Sequence, residues 1–250
     1  MKMLRAAAKA EFLKSKRVPS FLVPTVFFPI MFFALFGLPN AKNSIGAVSV
    51  AAYLMALYAS YAMMTTALFS FGVSIASERA LGWNRLLRVT PLSGISYIGA
   101  KLLNAFAVGG LAIVCLFAFA VVTAHVSLPA LVWLKLAGVL ILGMSPFVLL
   151  GLAIGYSVGP AAAAPIANLI SLPLAFGSGL FIPMQMLPPF VQRFAPYLPS
   201  YHLGQLGWNA MGSGDMQGLG PHLLWIAGYS VAFGLVALVA YRRDEGRQFG

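Results

Sequence analysis

Side chains able to do acid–base, nucleophilic or metal chemistry are scarce in these 250 residues. The single cysteine, Cys115, sits in an apolar run, which excludes an intrachain disulfide and a redox or metal centre built on cysteines. His125, His202 and His222 are read as having neither a carboxylate nor a cysteine near enough in sequence to form a metal-ligand pattern. A phosphate-binding loop of the GxxxxGK[S/T] type is missing, so the chain cannot bind and hydrolyse ATP by that route alone. No polar cluster of the kind a membrane-embedded enzyme needs is visible. What remains are weak hydrogen-bonding groups inside long apolar stretches: Thr65, Thr66 and Ser70, then Asn104, then Asn168, Ser171 and Ser178. Such groups either bond between helices and back onto their own helix, or line a path for a cargo. Gly151 and Gly155 add a small-xxx-small pair suited to close helix contact.

The elements that must position these groups follow from composition. Hydrophobic residues make up 60% of the chain, charged residues 8%, and the mean hydropathy is +0.89. Soluble domains run near 45–50% apolar and about 25% charged, so the chain belongs in a bilayer and a soluble enzyme is excluded. The formal charge of +11 reflects the lysines and arginines that collect beside membrane spans rather than a nucleic-acid partner. Crossing the hydrocarbon takes roughly 20 apolar residues, and six stretches meet or nearly meet that length: 21–38, 48–76, 96–122, 132–156, 162–181 and 222–241. The fold class expected is therefore an all-α integral membrane protein with six transmembrane helices in one permease domain over 1–250. Pro24 and Pro29, Pro146, and Pro165 and Pro173 predict kinks in the first, fourth and fifth spans.

Residues 1–17 read as an amphipathic helix, with Lys2, Arg5, Lys9 and Lys16 on one face and Met1, Leu4, Ala8 and Phe12 on the adjoining one. Such a helix can lie among headgroups, its basic side toward anionic membrane lipid. With both termini cytoplasmic, the inner side carries thirteen of the sixteen basic residues and the outer side only Lys42, Lys135 and Arg193. That asymmetry predicts a multi-pass protein of the inner (plasma) membrane with both ends inside. None of the spans buries an ionisable residue deeply, which argues against a proton- or ion-coupled carrier.

Two connections are more informative than the spans. Residues 77–92 combine charge with Trp83, Leu86 and Leu87 and predict a short cytoplasmic amphipathic helix ended by Pro91. Residues 182–221 are apolar yet broken by Pro183, Pro188, Pro189, Pro196 and Pro199, which predicts short outer re-entrant helices buried against protein. The segment Glu78, Arg79, Gly82, Leu86, Leu87, Thr90, Pro91, Leu92, Ser93, followed by the SGLFIP to PYLPSYH segment at 178–202, resembles the type 2 permease family of ABC transporters. The likeness covers nearly the whole chain; Ala80 stands where many relatives carry a second acid.

The resemblance implies the membrane subunit of an ABC exporter that pairs with a second permease protomer, as a homodimer, and with a separate cytoplasmic ATPase. ATP and Mg would sit on that partner, and no cofactor on this chain. It implies a coupling helix carrying Glu78, Arg79, Gly82, Trp83, Leu86 and Leu87 in a groove of the ATPase. It also implies an outer cap built around Pro183, Pro188, Pro199 and Tyr201. Thr65, Thr66, Asn168 and Ser171 are the candidate pathway contacts. The apolar, uncharged lining suits a hydrophobic or amphiphilic cargo (drug, lipid or glycan class) better than a small ion, whose dehydration needs more fixed polar ligands. The alternative is an ATP-independent secondary transporter or channel, which would transport without a partner.

Overall fold

The computed structural model describes residues 2–17, 19–45, 48–83, 94–215 and 217–249, and these are almost entirely helical. A short helix α1 (Lys2–Arg17) leads into α2 (Pro19–Phe32), which ends in a π-helical turn, Phe33–Gly37. A two-residue hairpin, β1 (Ser44–Ile45) with β2 (Val48–Ser49), carries the chain into α3 (Val50–Leu68). Ser49 caps α3 by accepting from the Ala52 amide at 3.1 Å. A second π turn, Phe69–Val73, joins α3 to α4 (Ser74–Ala80), so that Val50–Ala80 is one apolar rod of 31 residues. Then come α5 (Gly94–Ala124), α6 (Ala130–Gly143), α7 (Ser145–Ser157) and α8 (Pro160–Gly177). Two shorter helices, α9 (Pro189–Phe194) and α10 (Pro199–Ala210), precede the last rod, α11 (Leu219–Phe249).

Five rods are long and apolar enough to cross a bilayer: Val50–Ala80, Ser96–Ala124, Ala130–Ser157, Pro160–Gly177 and Leu219–Glu245. Counting α1 and α2 together, joined at a 66° bend, gives six. The sequence places the second span at 48–76 and the sixth at 222–241; both helices run further at their C-terminal ends, because polar residues there find partners inside the protein. Pro146 falls in the first turn of α7, where its missing amide costs nothing, and the fourth span breaks just before it, at Met144. Pro24, Pro29, Pro165 and Pro173 lie within α2 and α8, which continue past them.

The rod α3–α4 is the axis of the bundle. Almost every side chain from Ala51 to Leu68 is buried, including Tyr58, Met55, Met63 and Met64. Against it pack α2, α5, α7, α8 and α10. Gly151 and Gly155 of α7 meet the widened π turn so closely that a Cβ on Gly155 would stand 2.9 Å from the Phe71 carbonyl oxygen and from the Ile75 Cβ. A Cβ on Gly151 would stand 3.1 Å from the Ala67 carbonyl oxygen. The small-xxx-small pair thus brings two backbones together, a contact that lipid, being as apolar as leucine, would not otherwise drive.

Helix α1, the end of α4, the start of α5, the end of α7 and the last turns of α11 meet at one end of the bundle, called here the termini end. The hairpin, the α5–α6 connection and residues 178–218 form the far end.

Candidate functional site

The termini end is built around two charged residues that close α4. Glu78, only 8% exposed, accepts from Lys101 (2.8 Å) and Ser74 (3.2 Å), and also pairs with Lys14 and with the Tyr97 hydroxyl. Lys101, at 1% exposure, additionally reaches Glu11 at 3.2 Å. One carboxylate therefore ties α1, α4 and α5 into a single joint. Asn104 extends it by donating to Ser15 of α1 at 2.8 Å. The face of α1 turned to α5 carries Leu4, Glu11 and Ser15, while Phe12, which the helical period assigns to the apolar face, is 48% exposed.

Arg79 makes the second joint. Its Nε donates to Asp244 Oδ2 at 3.0 Å, and its Nη1 donates to the carbonyls of Gly155 (2.7 Å) and Val158 (3.2 Å). A planar cation at the C-terminal end of α7 satisfies carbonyls that the helix leaves open and meets the negative end of its dipole. The guanidinium also lies 5.8 Å from the centre of the Tyr156 ring. Arg79 thereby joins α4, α7 and α11.

Residues 77–80 are thus the last turn of the second rod, where the sequence predicts the start of a separate helix. A turn follows at once. Gly82 adopts φ +73°, open to a residue without a Cβ, and Leu81 and Trp83 are 81% and 40% exposed. Leu86, Leu87, Thr90, Pro91, Leu92 and Ser93 lie outside the described residues. Of the candidate coupling residues, Glu78 and Arg79 face inward as anchors, and Trp83 faces outward on the segment they anchor.

The polar span residues divide. Thr65 donates back to the Tyr61 carbonyl at 2.9 Å, and Ser171 to the Asn168 carbonyl at 3.4 Å; Ser171 also lies on the stripe Ala163, Ala167, Ser171, Ala175 that α8 buries. Both hydroxyls are satisfied within their own helices, Thr65 partly exposed and Ser171 buried. Thr66 and Ser70 are buried with no hydrogen-bond partner among the described residues, and Asn168 is exposed on the open face of α8.

At the far end the prolines set helix starts. Pro183 and Pro188 precede the 3-10 turn Met184–Met186 and α9, and Pro199 opens α10. Nearly all of α10 is buried, with Trp208 stacked on Tyr53 (4.5 Å, 4° between planes) and donating to the Tyr53 carbonyl at 3.2 Å. By contrast Phe190, Phe194 and Tyr197 are about two-thirds exposed. Tyr201, half-covered, meets the His202 ring edge-on at 5.4 Å.

This end also holds a group that sequence reasoning passed over. His202 and His222 are buried with their Nδ1 atoms 2.8 Å apart, and His222 Nε2 lies 3.0 Å from Asp215 Oδ1. Asp215 fixes the tautomers: His222 donates to it through Nε2, so His222 Nδ1 accepts from His202. His202 Nε2 then has no partner among the described residues. Burial and the neighbouring His222 push the His202 imidazole down to about 4. Although burial opposes it, hydrogen bonds from His222 and Asn209 hold the Asp215 carboxyl below its ordinary value. The available signal was the seven-residue spacing between Asp215 and His222.

The sequence profile of the ABC-2 family transporter protein matches residues 41–239 of this chain. A Bacillus subtilis (strain 168) protein described as "Putative transport permease YvfS" is 26% identical over 246 residues, covering 98% of this chain and 99% of its own length.

Proposed function

Because the chain belongs to the ABC-2 family of transporter proteins, as the membrane subunit of an ABC transporter, we propose that it exports a hydrophobic or amphiphilic cargo by ATP-driven alternating access. In this reading the termini end is cytoplasmic, consistent with its share of the basic residues. A separate ATPase binds there, and ATP closure of that partner pulls on the coupling segment at 77–92 in each of two identical protomers.

The observation that carries the coupling part is the change in exposure across 78–83. Two charged residues anchored to α1, α5, α7 and α11 stand immediately before a left-handed glycine and the exposed Leu81 and Trp83. A push delivered through the exposed Leu81 and Trp83 is borne by four other helices, so a local displacement becomes a motion of the bundle. The bias between inward and outward states must come from contacts that differ between them, since a ligand with equal affinity for both shifts nothing. Asn168, on the open face of α8, is the polar contact offered to a cargo; the 182–221 segment closes the outer end.

Reconstitution in vesicles tests this. With the ATPase subunit present, an amphiphile should raise ATP hydrolysis and move across the bilayer only when ATP is supplied. Equal movement by this chain alone would replace the proposal with an ATP-independent carrier or channel.

A further inference from the structure

A groove of about 370 Å³ runs between the C-terminal end of α7 and the C-terminal half of α11. Its wall along α11 is Leu235, Val236, Val239 and Arg243, positions that recur on one helix face over roughly 12 Å of rise. The opposite wall is Tyr156 and Ser157. The groove is therefore apolar toward the middle of the bilayer and polar where α11 leaves it. Its apolar side chains are about half exposed, at 60% for Leu235, 53% for Val236 and 48% for Val239.

The charges at the polar end are unequal in their commitments. Asp244 lines the groove but is already paired with Arg79. Arg243 is exposed and has no hydrogen bond or ion pair among the described residues. Tyr156 is held in place by an edge contact with Tyr241 at 5.2 Å and by Arg79 on its face. Among the described residues the groove thus presents a fixed aromatic wall, an apolar floor and one unpaired cation, Arg243, near the end of the span.

We propose that this groove holds one anionic phospholipid, its phosphate on Arg243 and Ser157 and an acyl chain along Leu235, Val236 and Val239. Charge complementarity selects the occupant. An arginine fork is suited to phosphate oxygens, and a chain of net charge +11 gathers anionic lipid around its basic end. The site depends on the chain's being a membrane protein and on neither the cargo nor the direction of transport.

Native mass spectrometry of the full-length protein in detergent, with phosphatidylglycerol or phosphatidylcholine added at equal concentration, tests it. The wild type should retain one phosphatidylglycerol per protomer and discriminate against phosphatidylcholine. Arg243→Gln should reduce that retention at least five-fold, Val239→Trp should abolish it by filling the floor, and Arg193→Gln at the far end should leave it unchanged. Equal retention by wild type and Arg243→Gln, or no preference between the two lipids, would reduce the groove to ordinary boundary lipid and overturn the proposal. A change of oligomeric state in Val239→Trp with lipid retention intact would overturn it too, by making the groove a contact between protomers.

Discussion

Replacing Glu78 by Gln keeps the side-chain shape and removes one charge from the termini end. Lys101 then stays buried at 1% exposure with Glu11, 3.2 Å away, as its remaining carboxylate. Removing one member of a buried pair typically costs about 3–5 kcal/mol, because the other charge is left without compensation. Glu11 offsets part of that, which puts Glu78→Gln at the low end, about 3 kcal/mol. Lys14 pairs with the same carboxylate but its side chain is 46% exposed, so Lys14→Gln should cost about 1 kcal/mol or less. For a chain of this size 1 kcal/mol corresponds to about 2–4 °C in melting temperature. Thermal unfolding of the purified protein, followed by tryptophan fluorescence, should drop by about 6–12 °C for Glu78→Gln and by about 4 °C or less for Lys14→Gln. Glu78→Gln and Lys101→Gln combined should cost less than the sum of the two, by about 1 kcal/mol or more. A Glu78→Gln melt within 2 °C of wild type, or additive behaviour in the double variant, would refute the joint as the element that holds the termini end.

Other perturbations separate the remaining assignments. Gly155→Leu must force α7 off the π turn, since even a Cβ would meet backbone at 2.9 Å; loss of folded protein or a fall of about 3 kcal/mol is expected on denaturation, whereas Gly138→Leu, with nothing near its Cβ, should be close to neutral. His202, held near 4 in the fold against about 6.5 when unfolded, takes up its proton first in the unfolded chain. Stability should therefore be complete above pH 6.5 and fall by up to about 3 kcal/mol as pH drops toward 4, and His202→Gln should flatten that slope in the same melts. Asn168→Leu should alter which amphiphiles stimulate the ATPase at unchanged melting temperature, whereas Ser171→Leu, on the buried stripe of α8, should lower the melting temperature instead. Loss of stability at Asn168 with cargo preference intact would remove α8 from the pathway.

The helical membrane fold was legible because bilayer thickness imposes a length that apolar runs reveal directly. The close approach of Gly151 and Gly155 was likewise readable from spacing, since only small residues at that period let backbones touch. Less visible was what they touch: a π turn at Phe69–Val73 leaves no mark in hydropathy. The ion-pair joints were hidden for a different reason. Glu78, Lys101 and Glu11, like Arg79 and Asp244, are 23 to 165 residues apart in pairs and meet only once the helices are arranged. Near span ends such residues read as solvated or interfacial charge, and their burial depends on tertiary contacts. The same holds for His202, which sits 20 residues from His222. Among the weak polar groups, sequence could not separate Ser171 from Asn168, because that distinction rests on which face of α8 is covered.

The central claim is that the ATPase acts on the segment that begins with the exposed Leu81 and Trp83. Its most direct test places a photo-crosslinking phenylalanine analogue at position 83, in the full-length protein co-expressed with its ATPase subunit, and identifies the products by mass spectrometry. The account predicts a crosslink to a peptide of the ATPase from position 83 and none from the same analogue at Phe194, at the far end. Crosslinks from position 83 to lipid alone, or to the ATPase from Phe194 instead, would contradict it.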